Sequence, residues 1–232
     1  MGIRYIAVIG SLIALIASQA ANIENQEQQE IALQDEIASE ASDIGETAAS
    51  ATLDAADMAK VLDYIPDIKI ELRYSTENNF TGERIYDFTD AYLRYGTVMK
   101  LKNAQEQLKK EGLTLLIWDA YRPVPAQFAL WNICPDPVYV ANPNTGYSSH
   151  SKGNTVDVTM VSTAGTSVQM PTDFDNFSPK ADRDYGDCTP EEAANAQKLE
   201  DIMIQSGFTP YSGEWWHFSD TDDYPVRNEL EQ

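Results

Sequence analysis

Residues 148–157 of this chain read SSHSKGNTVD, and they contain His150, one of only two histidines among 232 residues. The second histidine, His217, ends the segment EWWH at residues 214–217. Two imidazoles and the carboxylate of Asp157 would leave one position of a tetrahedral zinc ion open, and a catalytic zinc keeps such a position for water or substrate. The two segments therefore predict a site for one zinc ion per chain, of the kind found in metallohydrolases.

Glu214 stands three residues before His217 and is available as a proton carrier beside such a metal. Residues 214–219 are predicted to form the final strand. Residues three apart on a flat strand face opposite sides, so pairing Glu214 with His217 requires a bulge or a strand start there. The alternative for each histidine is structural: His150 would be a surface residue, and His217 would be a strand residue with a hydrogen-bond partner.

The segment that follows His150 is predicted to turn and enter a strand. Gly153 gives the chain freedom between the histidine and Asp157. Residues 155–161 alternate as a strand does, so the apolar residues would face the core. The polar residues Thr155, Asp157 and Thr159 would then face a cleft.

The remaining pattern indicates mixed elements without a regular βαβ rhythm, which predicts an α+β fold. An extended entry with a turn at Pro66-Asp67 is expected at residues 61–72, and a buried strand at 113–118. Helices are expected at 97–110, closed by Gly112, and at 125–131. A last helix should begin at a capping box formed by Thr189 and Glu192 and end at Gly207.

The amino-terminal 57 residues resemble a targeting segment followed by a linker. Arg4 and an apolar stretch precede small residues at 18–20, which predicts an export signal cleaved after Ala20; an uncleaved anchor is the alternative, although the stretch is short for a membrane span. Residues 21–57 hold ten acidic and no basic residues, which is typical of a solvated acidic linker. The domain is therefore expected at 58–232, in an exported protein that is periplasmic or extracellular, with no stable membrane anchor.

Charge excludes one class of partner. The whole chain has a formal net charge of −21, with 37 acidic and 16 basic residues. Without the ten acidic residues of the linker and Arg4, the remaining 27 acidic and 15 basic residues leave residues 58–232 at −12. No nucleic acid is expected to bind such a body through simple attraction. Cys134 and Cys188 are the only cysteines, and in an exported chain they would form either one disulfide or a pair of free thiols.

Several segments together resemble one family. SSHSKGNTVDVT resembles the Ser-x-His-x(6)-Asp signature of the zinc D-Ala-D-Ala peptidases, and GEWWHF resembles their Glu-x-x-His signature. Agreement at Arg73-Tyr74, at NFTG (79–82), at WDAYRP (118–123) and at Phe174-Asp175 makes the D-alanyl-D-alanine dipeptidases, a group that includes the vancomycin-resistance dipeptidase, the tighter match. The resemblance covers roughly residues 60–220 and implies a single domain with a central antiparallel sheet and flanking helices.

The resemblance also implies a role for each matched residue. His150, Asp157 and His217 would bind zinc, and Glu214 would act as general base and then as general acid. Arg122 would stabilise the tetrahedral oxyanion, with Asp119 as its orienting partner; without the family it would be a plain surface or salt-bridge arginine. Three further residues would bind the substrate at its free ammonium end: Asp175, Ser148 and Tyr74.

These roles predict a secreted zinc metallopeptidase that cleaves D-Ala-D-Ala or a related dipeptide. Two alternatives stay open: a D,D-carboxypeptidase or endopeptidase that acts on larger cell-wall peptides through an open cleft, and a non-catalytic metal-binding or wall-binding module. Binding alone requires neither Glu214 nor Arg122. The sequence departs from the family at Met170-Pro171, where Met-Gly is common, and a proline there fixes the backbone near the expected substrate pocket.

Overall fold

The computed structural model describes residues 53–228. Its compact unit begins at Leu53, five residues before the predicted domain start at Met58. The predicted signal at residues 1–20, and the predicted linker as far as residue 52, lie outside the described residues. Within the described part, no helix combines the length and the apolar character that a membrane crossing demands.

Seven strands and four helices make up the described domain. The strands are β1 (Met58–Lys60), β2 (Lys69–Ile70), β3 (Tyr92–Arg94), β4 (Leu113–Asp119), β5 (Thr155–Ser162), β6 (Phe208–Pro210) and β7 (His217–Asp220). The helices are α1 (Val61–Tyr64), α2 (Tyr95–Lys109), α3 (Val124–Ile133) and α4 (Pro190–Gln205). Short 3-10 turns lie at Arg73–Ser75, Ser149–Lys152 and Pro179–Ala181.

The main sheet has five strands in the order β2-β4-β5-β7-β6, and β1 pairs with β3 in a separate two-stranded ribbon. The pairs among β4, β5, β7 and β6 are antiparallel, as predicted for the central sheet, while the short edge strand β2 is parallel to β4. Helices α2 and α4 contact each other as well as β4 and β6, respectively. The fold is therefore α+β with flanking helices.

The core explains the strongest sequence patterns. Strand β5 lies in the middle of the sheet, and every residue from Thr155 to Val161 is buried. The apolar residues spaced along one face of α2 are all buried: Val98, Leu101, Ala104 and Leu108. Gly112, with φ 74°, closes that helix in the left-handed region, as expected.

Two local predictions need correction. Residues 61–72 were expected to be extended, but Val61–Tyr64 form the short helix α1, whose end is closed by a hydrogen bond from the Ile65 N–H to the Val61 carbonyl (2.9 Å). The helix predicted at 125–131 is longer, Val124–Ile133. Cys134 and Cys188 are both free and half-buried, so the structure has the pair of thiols rather than the disulfide.

Candidate active site

The sheet sets three polar residues side by side. Asp157 on β5 is the register partner of Asp119 on β4 and of His217 on β7. Residues directly opposite each other on neighbouring strands share one face of the sheet, with Cβ atoms about 5 Å apart. A register shift after Ile117 marks the end of β4, next to Asp119. Strand pairing thus brings together residues that are up to 98 positions apart in the sequence.

His150 reaches this row from the 3-10 turn at Ser149–Lys152. Gly153 ends the turn in the left-handed region, with φ 76°, and the chain then enters β5. Its positive φ favours glycine at this position, and a Cβ there would also displace the end of the Met58 side chain, whose sulfur would lie 2.9 Å away. The tight turn allows residues seven apart to face one point.

The three predicted metal ligands converge. His150 Nε2 lies 3.3 Å from Asp157 Oδ2, and His217 Nδ1 lies 3.0 Å from Asp157 Oδ1. One ligand atom from each residue lies within 4.8 Å of the others. His150 Nδ1 donates to the Ala120 carbonyl at 2.8 Å, and because a carbonyl only accepts, the lone pair of the neutral imidazole is on Nε2.

This arrangement fits a cation. Asp157 Oδ1 is buried and has no hydrogen-bond partner among the described residues, although imidazole nitrogens surround its carboxylate. Burial raises the pKa of Asp157, but His150 and His217 outweigh burial and hold that pKa below its ordinary value. A buried, ionised oxygen without a well-aligned hydrogen bond is costly unless a positive charge compensates it. Two nitrogens and one carboxylate oxygen are the donor set that zinc takes in catalytic sites.

Glu214 lies in the turn that precedes β7. The strand begins at His217, so the predicted start of this strand at residue 214 was wrong. The His217 N–H bonds to the Glu214 carbonyl at 3.3 Å, and this turn places Glu214 Oε2 3.4 Å from His217 Nδ1. Burial raises the pKa of Glu214 and the nearby Asp157 raises it further, while His217 and Arg122 lower it; the net direction is upward. A raised carboxyl pKa suits a group that accepts and returns a proton near neutral pH.

Arg122 is buried, at 9% exposure, so the surface form of the alternative interpretation is wrong, whereas its salt-bridge form agrees with the ion pair to Asp119. Its Nε and Nη2 both donate to Asp119 Oδ2, at 3.1 and 2.6 Å, which confirms Asp119 as its partner. Asp119 Oδ1 is occupied separately by the Tyr86 hydroxyl at 2.9 Å. The guanidinium carbon lies 5.1 Å from the centroid of the Tyr74 ring. The arginine is therefore held from several sides.

Tyr74 and Asp175, 101 residues apart, also meet. The Tyr74 hydroxyl donates to Asp175 Oδ2 at 2.6 Å. Asp175 takes a positive φ of 51°, a conformation that aspartate tolerates better than most residues. Burial raises the pKa of Asp175, and the carboxylates of Asp157 and Glu214 add to this effect. A cation placed beside Asp175 would stabilise its ionised form against both effects.

All the predicted metal-binding, catalytic and substrate-binding residues line one cavity of about 270 Å³. The predicted residues on its wall are Tyr74, Arg122, Ser148, His150, Asp157, Asp175, Glu214 and His217. Of the other residues predicted to face a cleft, Thr155 bonds Ser219 within the sheet, and Thr159 lines a separate pocket. Central strand β5 is covered on both faces, so alternation alone did not decide which polar residues reach the cavity.

The sequence analysis missed three residues that contact the predicted site residues. Tyr86 donates to Asp119, Gln127 accepts from Arg122, and the Tyr211 ring lies 5.6 Å from the His217 ring. A polar residue in the otherwise apolar stretch 124–131 was the available signal for Gln127. Nothing in the local pattern marks Tyr86 or Tyr211 among twelve tyrosines.

The family model and the sequence relatives agree on one family. A family model described as D-ala-D-ala dipeptidase matches residues 52–231. A D-alanyl-D-alanine dipeptidase of Escherichia coli (strain K12) is 36% identical over 169 residues, which cover 73% of this chain and 86% of that protein. One from Streptomyces coelicolor (strain ATCC BAA-471 / A3(2) / M145) is 33% identical over 187 residues, covering 70% and 91%. Among solved structures, the LdcB LD-carboxypeptidase aligns with a TM-score of 0.41 at 21% identity, over 73% of this chain and 70% of that chain.

Proposed function

Because this chain belongs to the D-ala-D-ala dipeptidase family and is a peptidase hydrolase, we propose that it is an exported zinc dipeptidase that hydrolyses D-Ala-D-Ala. The observation that carries the proposal is the convergence, on one cavity, of a three-ligand metal set with Glu214 and Arg122. A module that only binds a metal would need the three metal ligands but neither Glu214 nor Arg122. The proposed location outside the cytoplasm rests on residues 1–20 of the sequence, and amino-terminal sequencing of the native protein tests it.

A zinc ion held by His150, Asp157 and His217 would polarise the scissile carbonyl and acidify an attacking water. Proton transfer is then carried out by a side chain of the protein. Glu214, whose pKa is raised by burial, takes a proton from the water and returns it to the leaving amine.

Arg122 is placed to stabilise the developing oxyanion. A guanidinium has five N–H donors, and three of them are used by Asp119 and Gln127. The two that remain belong to a residue on the cavity wall, where a preorganised donor to an oxyanion typically lowers the barrier by about 3 kcal/mol.

Asp175 is the group proposed to select the length of the substrate. Tyr74 occupies Oδ2 of Asp175, which leaves Oδ1 for the free ammonium of a dipeptide. A longer peptide has an uncharged amide at that position and would leave a partly buried carboxylate unpaired, at a cost of about 1–3 kcal/mol. The rival function, a carboxypeptidase acting on longer wall peptides, requires no such ammonium pairing.

The test compares D-Ala-D-Ala with N-acetyl-D-Ala-D-Ala. We expect the free dipeptide to be cleaved at least 10-fold better in kcat/KM, the ratio that about 1.4 kcal/mol gives. Asp175→Asn should shrink that ratio, because an amide cannot pair with the ammonium as a carboxylate does. The control Asp201→Asn, on the exposed side of α4, should leave it unchanged.

Equal cleavage of the two substrates by the native enzyme would favour the carboxypeptidase. An absence of turnover on both, in protein shown to contain zinc, would favour the binding module.

A further inference from the structure

We propose that Gln127 is a positioning residue that fixes the plane of Arg122 and connects it to the wall of the cavity. The catalytic meaning of this inference rests on the proposed function. Gln127 lies in the first half of α3, five residues after Arg122, and is 1% exposed. It is not on the cavity wall itself, so it would act through Arg122.

The contacts of Arg122 with Asp119 hold only one side of its guanidinium. Both hydrogen bonds from Arg122 to Asp119 end on a single oxygen, Oδ2, and the Nε–H also donates to the Tyr86 hydroxyl at 3.3 Å. The other oxygen, Oδ1, is already used by the Tyr86 hydroxyl and the Ala120 N–H, each at 2.9 Å. Contacts through Nε and Nη2 alone leave Nη1 without an anchor, so the far side of the guanidinium needs one of its own.

Gln127 supplies the missing anchor on the far side of the guanidinium. Its Oε1 accepts from Arg122 Nη1 at 2.9 Å. Its Nε2 donates to the Ala141 carbonyl at 2.8 Å. Because a carbonyl only accepts and a guanidinium only donates, the two contacts allow one orientation of the amide. The chain of contacts from Asp119 through Arg122 and Gln127 to Ala141, which is buried as far as Gln127, therefore has a single hydrogen-bond orientation.

The last contact extends the chain to the cavity wall. Val140 and Ala141 line the cavity, and the neighbouring Tyr139 ring packs on Phe177 at 4.5 Å between centroids. Phe177 also contacts Phe80 at 5.4 Å. The peptide segment that Gln127 contacts is thus packed against the loop that follows Asp175. Gln127 therefore fixes the position of Arg122 relative to this part of the cavity wall.

The test uses Gln127→Leu, Gln127→Glu and a matched control. Gln127→Leu removes both contacts at similar volume, and we expect kcat on D-Ala-D-Ala to fall by about 10- to 100-fold with a smaller change in KM, because misplacing a catalytic group costs rate. Gln127→Glu keeps an acceptor for Arg122 and should recover most of that kcat. It removes the donor to Ala141, so backbone hydrogen exchange at residues 137–141 should rise in both variants.

Gln105 provides the control for a purely structural loss. It is also 1% exposed, donates to Thr114 Oγ1 at 2.7 Å and accepts from the Leu115 N–H at 2.9 Å, on helix α2 and away from the cavity wall. Gln105→Leu should lower the melting temperature as Gln127→Leu does but should leave kcat unchanged.

A double-mutant cycle with Arg122→Lys decides whether the effect passes through Arg122. Lysine lacks the planar fork that Gln127 orients, so adding Gln127→Leu to Arg122→Lys should change kcat by less than about 2-fold. An undiminished effect in the lysine background, or a folded Gln127→Leu protein with native kcat, would overturn the inference. The same cycle measured on thermal stability detects the Arg122–Gln127 coupling without substrate, so failure of this inference is distinguishable from failure of the proposed dipeptidase activity.

Discussion

Distances at single residues separate the proposed ligands from the proposed proton carrier. Both oxygens of Asp157 lie against imidazole nitrogens, at 3.0 and 3.3 Å. Glu214 approaches the same site from the preceding turn, and its Oε2 is 3.4 Å from His217 Nδ1. The three atoms that converge within 4.8 Å come from His150, Asp157 and His217. Glu214 is thus a neighbour of the predicted metal set and not one of its members.

Glu214→Gln should keep zinc and lose turnover. The amide preserves the size of the side chain but cannot take a proton, and loss of general acid–base catalysis typically costs 10²- to 10⁴-fold in rate. Metal analysis of the purified variant should give about one zinc per chain, while kcat on D-Ala-D-Ala falls by at least about 100-fold.

His217→Ala is the paired variant, and it should lose most of the zinc as well as the activity, because it removes a ligand. Loss of zinc from Glu214→Gln, or full retention in His217→Ala, would reverse the assigned roles.

Helix α4 illustrates how an element is specified by its first turn. Thr189 accepts from the Glu192 N–H at 3.2 Å, and Glu192 accepts from the Thr189 N–H at 2.7 Å, which completes the predicted capping box. Lys180 Nζ adds an ion pair with Glu192 at 3.0 Å. Further along the helix, Asn195 donates to the Gln169 carbonyl at 2.9 Å. The helix therefore supports the segment that precedes Asp175.

Thr189→Ala should destabilise the domain without changing its chemistry. Removing an N-cap hydroxyl costs about 1 kcal/mol of unfolding free energy, since one N–H of the first turn loses its acceptor. Urea denaturation should show this loss, and zinc content and kcat should stay at native values. Thr189→Ser retains the acceptor and should unfold within about 0.5 kcal/mol of the native chain. A variant as stable as the native protein would show that the cap contributes nothing.

At the scale of the whole molecule, the compact unit extends beyond the predicted boundary. Three backbone carbonyls of residues 55–57 accept hydrogen bonds from the start of α2 and the end of β3. The Ala55 carbonyl accepts from the Gly96 N–H, that of Ala56 from Arg94 Nη1, and that of Asp57 from the Tyr95 N–H. The same arginine also donates to the Lys152 and Pro225 carbonyls. The linker was predicted from its acidic composition, and side-chain composition gives no information about the hydrogen bonds that backbone carbonyls form.

Two truncated chains test this boundary. A chain that starts at Leu53 should have the native free energy of unfolding, whereas one that starts at Met58 should lose about 3 kcal/mol, roughly one for each of the three hydrogen bonds. Thermal and urea unfolding of both proteins, with zinc bound, measure the difference. Equal stability would place the boundary at residue 58, as composition suggested.

The local sequence was sufficient to predict those features that depend on residues close together in the chain. The stripe of α2, the capping box at Thr189 and the buried strand at 113–118 follow from periodicity and side-chain chemistry within a few residues. The identities of the candidate ligands were also readable, because only two histidines exist and each stands in a recognisable motif. The same reasoning required a bulge or a strand start between Glu214 and His217, and β7 begins at His217.

Tertiary structure alone decided which distant residues meet. Strand register places Asp119, Asp157 and His217 in one row, and a one-residue shift of register would have turned their side chains to the other face. Tyr74 reaches Asp175 across 101 residues, and Gln127 of helix α3 reaches the Ala141 carbonyl across 14 residues. Such contacts depend on packing between elements, and no period in the sequence encodes that packing. The identities of the site residues could therefore be predicted from the sequence, whereas the contacts that orient them are determined by the tertiary packing.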